Sequence, residues 1–390
     1  RLSGYSKQNV KLRPMSQQTA APTDVIVFEL PANSIVDMRT FSVFARGLTT
    51  ATGGTTPSCV FPKHIETLID SIQVEINGTL VDTGFLQYGQ LFKIYMDYLS
   101  GVDRNSTSRC LLQQGDLTVL GHTTGAIGSS AVANSRTENT LLCWNSFLGF
   151  LGAKCPIIDT SILGQVRVLI RTAGSNVLVI GGAAAPTAYS YSLSNIFSTI
   201  DVISMNDGMY YDMIQQRLAQ APLEIMFDRH YIFQNGATGA AQTTRWAVST
   251  QSLDWVVATH FANTSRTTPN LIDAVANTSL AFKRDGTEVK ESFFQFNNVQ
   301  YPNYLCDNDE GTVLASTLQN LNVLPDLVGG CDPAMNTLAR WRGSFYAHVH
   351  RFNHLPSGDD DNRLISGLNT MGTNAQGTYN TTCLLYTSPS

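Results

Sequence analysis

Short runs in which apolar and polar residues alternate recur along the whole 390-residue chain, each closed off by Gly, Pro, Asn or Ser. In the first half they cover 24–31, 38–47, 71–78, 164–172, 176–182 and 197–205; in the second, 223–235, 245–261, 279–286, 292–303 and 344–352. A period of two sends successive side chains to opposite faces of a pleated strand. A chain written this way has to bury one face of many strands. No regular succession of strand and helix accompanies the runs, so a parallel α/β sheet does not fit. Many short strands joined by turn clusters and polar loops read as an all-β sandwich or barrel.

Helical spacing is confined to three places. Residues 89–101 put Leu91, Ile94, Tyr95 and Tyr98 on one face and stop at Ser100-Gly101; residues 207–222 carry Met209, Met213, Ile214 and Leu218 and stop at Pro222. A third candidate, 316–328, is interrupted by Pro325. At this length two domains are expected. The middle helix separates two similar strand series, which divides the chain into a basic arm (1–21), a first β domain (22–206), a linker helix (207–222) and a second β domain (223–382). The polar stretch 112–140 reads as an exposed insertion of the first domain. The last eight residues, CLLYTSPS at 383–390, change character abruptly and read as an adapter-derived artefact, with the second domain cut short before them. With no initiator Met and no signal-like opening, the sequence reads as a fragment or a processed form.

Composition narrows the function classes. Charged residues make up 14% against 43% hydrophobic, so Ser, Thr, Asn, Gln and Gly must cover much of the surface, as suits permanent assemblies. A net charge of −5 excludes a globally basic nucleic-acid binder but leaves room for a local basic arm. Arg1, Lys7, Lys11 and Arg13, with no acid before Asp24, are the candidate interaction residues of that arm. No apolar run approaches the ~20 residues of a membrane span. Seven scattered cysteines without a CxxC pair read as reduced, buried thiols. Sequons at Asn77, Asn105, Asn263, Asn277 and Asn380 follow from a composition rich in Asn, Thr and Ser.

A search for catalytic chemistry returns little. No nucleophile elbow, Walker A loop, HExxH or dinucleotide fingerprint is present. In HVHRFNH, His348 and His350 share one strand face, His354 returns from the turn and Asp359–Asp361 follow. These histidines are the metal candidates; the alternative reading puts them on a solvent-side face beside an acidic turn. Nothing supplies a fourth ligand, so no metal, cofactor or enzymatic activity is expected. The acidic segment 306–311 lacks a calcium-loop ladder and reads as a solvated turn. Cys143 and Cys155 read as small buried hydrophobes.

The order of elements carries a resemblance. VIVFELPANSIVDMRTFSVFAR is followed by HIETLIDSIQVEINGTLVD, the aromatic helix YGQLFKIYMDYL, CPIIDTSILGQVRVLIRT and YSLSNIFSTIDVISMNDGMYYDMI. FQFNNVQYPN and LISGLNTMGTNAQGTYNTT continue it in the second half. This arrangement resembles the double jelly-roll major capsid proteins of adenovirus, tailless membrane-containing phages and polinton-like viruses. The resemblance implies two tandem eight-stranded jelly rolls with a few short helices, including one at the junction. It implies a homotrimer with a pseudo-hexameric outline that tiles an icosahedral DNA-virus shell, located in the virion after synthesis in the host cytoplasm or nucleus. Its partners would be neighbouring capsomers, penton and minor capsid proteins, and a genome or internal membrane met by the arm. Two other readings stand beside it: a carbohydrate-binding or adhesin-type sandwich using Trp144, Trp246, Trp255 and Trp341, and a cupin-type enzyme using His348 and His350.

Overall fold

The computed structural model describes residues 5–52, 58–62, 64–82, 84, 87–99, 140–152, 157–181, 188–205, 208–221, 225, 227–235, 241–261, 272–273, 278–304, 306–321, 337–353, 367–373 and 375–381. Arg1, His354, Asp359–Asp361, Cys155, nearly all of the 112–140 insertion and the 383–390 tail lie outside them. The chain divides into two compact units, the first made of residues 1–92 and 110–230 and the second of 93–109 and 231–390. The division after His230 leaves the expected linker helix inside the first unit, where Tyr210 Oη donates to Asp159 Oδ2 at 3.3 Å.

The first unit contains β1 (Tyr5–Leu12), β2 (Val25–Glu29), β3 (Ile35–Thr52), β4 (Ser58–Val60), β5 (Ile69–Ile76), β6 (Thr79–Asp82), the start of α1 (Tyr88–Leu99), β7 (Thr140–Trp144), β8 (Ile157–Asp159), α2 (Thr160–Leu163), β9 (Val166–Thr172), β10 (Val179–Gly181), β11 (Ala188–Met205) and α3 (Gly208–Gln220). One antiparallel sheet runs β1-β11-β3-β7, with β8 on the start of β3; the other runs β2-β9-β5-β6. Strands close in sequence are thus dealt to opposite sheets, and the last strand returns beside the first. That is the jelly-roll order.

Alternation is what makes it fold. On β9, Val166, Val168 and Ile170 are buried while Arg167 and Leu169 are less so; on β2 the buried residues are Ile26 and Phe28. β3 and β11 contribute Val36, Phe41, Val43, Ile196 and Ile200 from the other sheet. Phe28 and Phe41 meet edge to face across the two sheets, with ring centroids 6.2 Å apart. Each such fully buried side chain contributes about 1.5–3 kcal/mol. Trp144 anchors the interior by donating Nε1–H to the Ile65 carbonyl at 3.0 Å.

The β5–β6 hairpin turns on Asn77 and Gly78, at φ 50° and 75°, the left-handed pair that a two-residue hairpin loop requires. The Asn77 side chain has a second task. Its Nδ2 donates to Leu163 O (2.8 Å) and its Oδ1 accepts from Gln165 N (3.1 Å), tying the hairpin to the turn that opens β9.

The second unit opens with the remainder of α1 and continues through β12 (Ala241–Trp246), β13 (Trp255–Ala258), β14 (Ile272–Asp273), β15 (Thr278–Ser279), β16 (Val289–Phe296), β17 (Val299–Tyr301), α4 (Thr312–Asn320), α5 (Leu338–Ser344), β18 (His348–Arg351) and β19 (Ala375–Thr381). One sheet runs β12-β19-β16-β17, and β13 pairs with β18. This repeats the first unit: β2-β9-β5-β6 corresponds to β12-β19-β16-β17, and the β3–β7 pair to β13–β18. The β16–β17 hairpin again has a two-residue loop, with Asn297 at φ 54°, and helices again follow it.

Two expected strands differ. Residues 227–235 are irregular and exposed from Tyr231 to Asn235, and 279–286 form a 3₁₀ turn at Leu280–Phe282 plus a bridge from Arg284 to Phe345. The basic arm is also corrected. Residues 5–12 are a strand paired along its whole length with β11, from Tyr5↔Met205 to Leu12↔Ser198.

Candidate functional site

The predicted arm residues separate by role. Lys7 makes an ion pair with Asp201 (2.6 Å), whose other oxygen accepts from Asn9 Nδ2 (2.7 Å). Hydrogen bonds from Lys7 and Asn9 hold the Asp201 carboxyl below its usual range. Lys11 sits 3.9 Å from the centre of the Phe197 ring, itself stacked on Phe44 at 5.1 Å. The two lysines therefore fasten β1 to its sheet. Arg13, just past the strand, is exposed.

His348 and His350 do share a face of β18, as the spacing implies, and that face is turned into the unit, with His348 buried and His350 half-buried. His348 is fully buried in the second unit. Its ring stacks on Phe294 (4.8 Å, 29°), and its Nδ1 lies 2.8 Å from Ser292 Oγ. His350 packs against Tyr301 and Phe352. His260 lies tilted on Tyr346 with ring centroids 5.4 Å apart. Burial pushes the His348 ring down to about 3, with His350 and His260 adding to the effect; it pushes His260 to about 4 and lowers His350 as well. All three are neutral near pH 7. The rings act as aromatic filling between the sheets of this unit. Among the described residues no three His, Cys, Asp or Glu side chains are grouped to hold a metal.

A polar constellation that sequence reasoning missed lies in the same unit. Lys93 and Asp97, one turn apart on α1, form an ion pair, and Arg284 Nη2 donates to the other Asp97 oxygen at 2.6 Å. None of the three side chains is more than 2% exposed. Burial alone would raise the Asp97 carboxyl. The Lys93 and Arg284 charges and their hydrogen bonds outweigh it and hold the group ionised. Around the cluster, Tyr98 Oη donates to Phe345 O (2.7 Å) and accepts from Trp341 Nε1 (2.5 Å). Ile94, Tyr98, Val313, Trp341, Phe345 and Val349 belong to one apolar cluster there.

The tryptophans weighed as glycan platforms are engaged: Trp144 and Trp341 are buried, Trp246 packs edge-on against Phe294 and Phe296, and the partly buried Trp255 meets Tyr95 edge to face at 5.0 Å. Cys143 and Cys306 are buried free thiols, and burial, with the Glu66 charge, pushes Cys143 up to about 11. Apart from the exposed Arg13, the polar groups described so far join elements or fill a core.

No protein-family model matches the chain, and no curated protein matches it significantly in sequence. Solved structures do. Alignment with a chain of the PBCV-1 virus capsid covers 100% of this chain and 87% of that one, at TM-score 0.60 and 14% identity. The fold is the double jelly roll of viral major capsid proteins. PBCV-1 VP54, fitted into a reconstruction of the virophage Sputnik, aligns over the same shares at TM-score 0.61 and 14% identity. A chain from the Sputnik virophage itself aligns over 98% of this chain and 83% of that one, at TM-score 0.56 and 13% identity. At such identities the likeness is one of fold.

Proposed function

We propose that this chain is the major structural protein of an icosahedral virus shell. The observation that carries the reading is the strand order of the first jelly roll, repeated in the second unit of the same chain, together with a likeness to capsid chains over the full length. Two such barrels per protomer and three protomers per capsomer give a pseudo-sixfold tile, with closed symmetry inside the trimer and weaker contacts between trimers. The low charge content suits interfaces depleted of Lys, Glu and Asp. Exposed Tyr211, Met213 and Leu218 on α3 offer apolar surface for such contacts. Penton and minor capsid proteins are the expected heterologous partners. Contact with a genome or membrane on the inner face falls to Arg1 and Arg13, since Lys7 and Lys11 are engaged within the sheet. The chemistry is assembly, without catalysis.

Light scattering on purified protein is expected to give a mass three times that of the 42.5 kDa chain, with shells or sheets of trimers in negative-stain images at high concentration. A stable monomer that binds glycans would favour the adhesin reading and overturn this one.

A further inference from the structure

His260, His348 and His350 all lie against the interior of the second unit, whereas none of the strands β1–β11 of the first contains a histidine. His348 is fully buried, and His350 and His260 are half-buried. Two residues apart on β18, His348 and His350 point the same way: one ring stacks on Phe294 of β16, the other meets Tyr301 of β17 and Phe352. His348 engages Ser292 Oγ through Nδ1, and its Nε2, like His350 Nδ1, is buried with no hydrogen-bond partner. A second proton on either ring would sit on a buried donor without an acceptor, beside a like charge on the same strand face. The surroundings supply no counter-charge. β13 sets Val256 opposite His350 and Ala258 opposite His348, and α4, behind β18, meets it through the unionisable Thr317 and Asn320. Tyr346 lies against His260, with Cys306 and Arg342 acting on its hydroxyl. The carboxylates of this unit are turned elsewhere. Asp97 is shared by Lys93 and Arg284, Asp254 acts on Arg351, and Asp285, whose amide donates to the His260 carbonyl, pairs with Lys283. In the first unit, by contrast, the charges of Asp228 and Asp82 counter the burial of His230.

We propose that the second jelly roll is the acid-released half of this chain: protonation of His348, His350 and His260 parts its two sheets while the first jelly roll stays folded. Parting them bares Phe294, Phe296, Tyr301 and Phe352, the aromatic side chains now packed together in that interior. The direction follows from where each ring holds a proton better. Inside, burial keeps His348 to about 3 and His260 to about 4; once exposed, both return to 6.5. The opened unit therefore binds more protons below about pH 6.5, and acid favours it. Between pH 7 and pH 5 each of these two rings multiplies the opening equilibrium about 20-fold, on the order of several hundred-fold together. His350, also lowered by burial, adds in the same direction.

The test is hydrogen exchange followed by mass spectrometry on the full chain, labelled at steps from pH 7 down to pH 4.5, with each rate divided by the intrinsic chemical rate at that pH. Opening read from β16 and β18 peptides is expected to rise by about 100-fold or more between pH 7 and pH 5, against less than about 10-fold for β5 and β9. A dye that fluoresces on apolar surface should brighten over the same interval. His348→Phe and His260→Phe, which keep a ring and remove the proton site, should each take about 20-fold off the rise. The comparison of the two units within the unaltered chain needs neither variant to fold. An equal rise in β5 and β9, no rise in β16 and β18 by pH 4.5, or folded variants that keep the whole rise would each overturn the proposal. All the readouts are taken on free protein, so the acid response and the capsid role can fail separately.

Discussion

Replacing Asp97 by Asn is the most informative single perturbation of this molecule. Asp97 is the carboxylate shared by Lys93 and Arg284 in a site where no side chain exceeds 2% exposure. The substitution keeps the volume and removes the charge, leaving two buried cations without their counter-ion. Breaking a buried pair in this way costs about 3–5 kcal/mol. For a unit of this size each kcal/mol lowers the melting temperature by about 2–4 °C, so the shift is on the order of 10 °C. Differential scanning calorimetry measures it, and the emission of Trp341, bonded to Tyr98 within the same cluster, assigns it to the second unit. The reasoning distinguishes charge from packing. A triple variant, Lys93→Met with Asp97→Leu and Arg284→Met, removes every charge at similar volume and should recover most of the loss. A cost below about 1 kcal/mol for Asp97→Asn, or a triple variant no better than the single one, would refute the account.

The histidines predict a pH dependence. With folded values near 3 and 4 for His348 and His260 against 6.5 unfolded, the unfolded chain binds more protons as the pH falls. Stability is therefore full above about pH 6.5 and declines below it, by about 2 kcal/mol per histidine at pH 5. Urea denaturation at a series of pH values should show this, and His348→Phe should flatten it. Gly164→Ala is expected to cost about 1–3 kcal/mol, because Gly164 sits at φ 77° and an added Cβ would lie 2.2 Å from Asn77 Oδ1; the denaturation midpoint should drop with the slope unchanged. Native-state alkylation with iodoacetamide at pH 8 should leave Cys143 and Cys306 unmodified, since both are buried and Cys143 is held to about 11, while denaturant should expose them.

Much of the first unit was legible because its alternation is local. In β2 and β9 the buried residues alternate strictly, and in β5 they do so past the bulge between Ile69 and Ser71, so the period locates the strands, and Asn77-Gly78 locates the hairpin. Residues 223–235 carry the same signal, yet among the described residues 231–235 are irregular; a two-residue period marks the propensity for a strand, while pairing is a non-local property. Residues 5–12 were missed for the opposite reason. Their basic side chains read as a solvated arm, and only Asp201 and Phe197, distant in sequence, show what the lysines hold. Lys93 and Asp97, spaced as an ordinary surface pair on a helix, gave no hint of burial; Arg284 supplies it from 187 residues away. His348 and His350 were correctly placed on one face, but whether that face is wet depends on Phe294 and Tyr301 across the sheets.

Membership of residues 93–109 in the second unit sets a timetable for synthesis. Lys93, Ile94, Asp97 and Tyr98 leave the ribosome well before Arg284, Trp341 and Phe345 exist. At about 5–20 residues per second the 187 residues from Asp97 to Arg284 take about 10–40 s. Throughout that interval an acid, a base and two large apolar side chains destined for one dry core stand in the nascent chain without their partners. The far end of α1 thus waits for a domain not yet translated, and chaperones that cover Ile94 and Tyr98 during that wait are expected to raise the yield of folded protein.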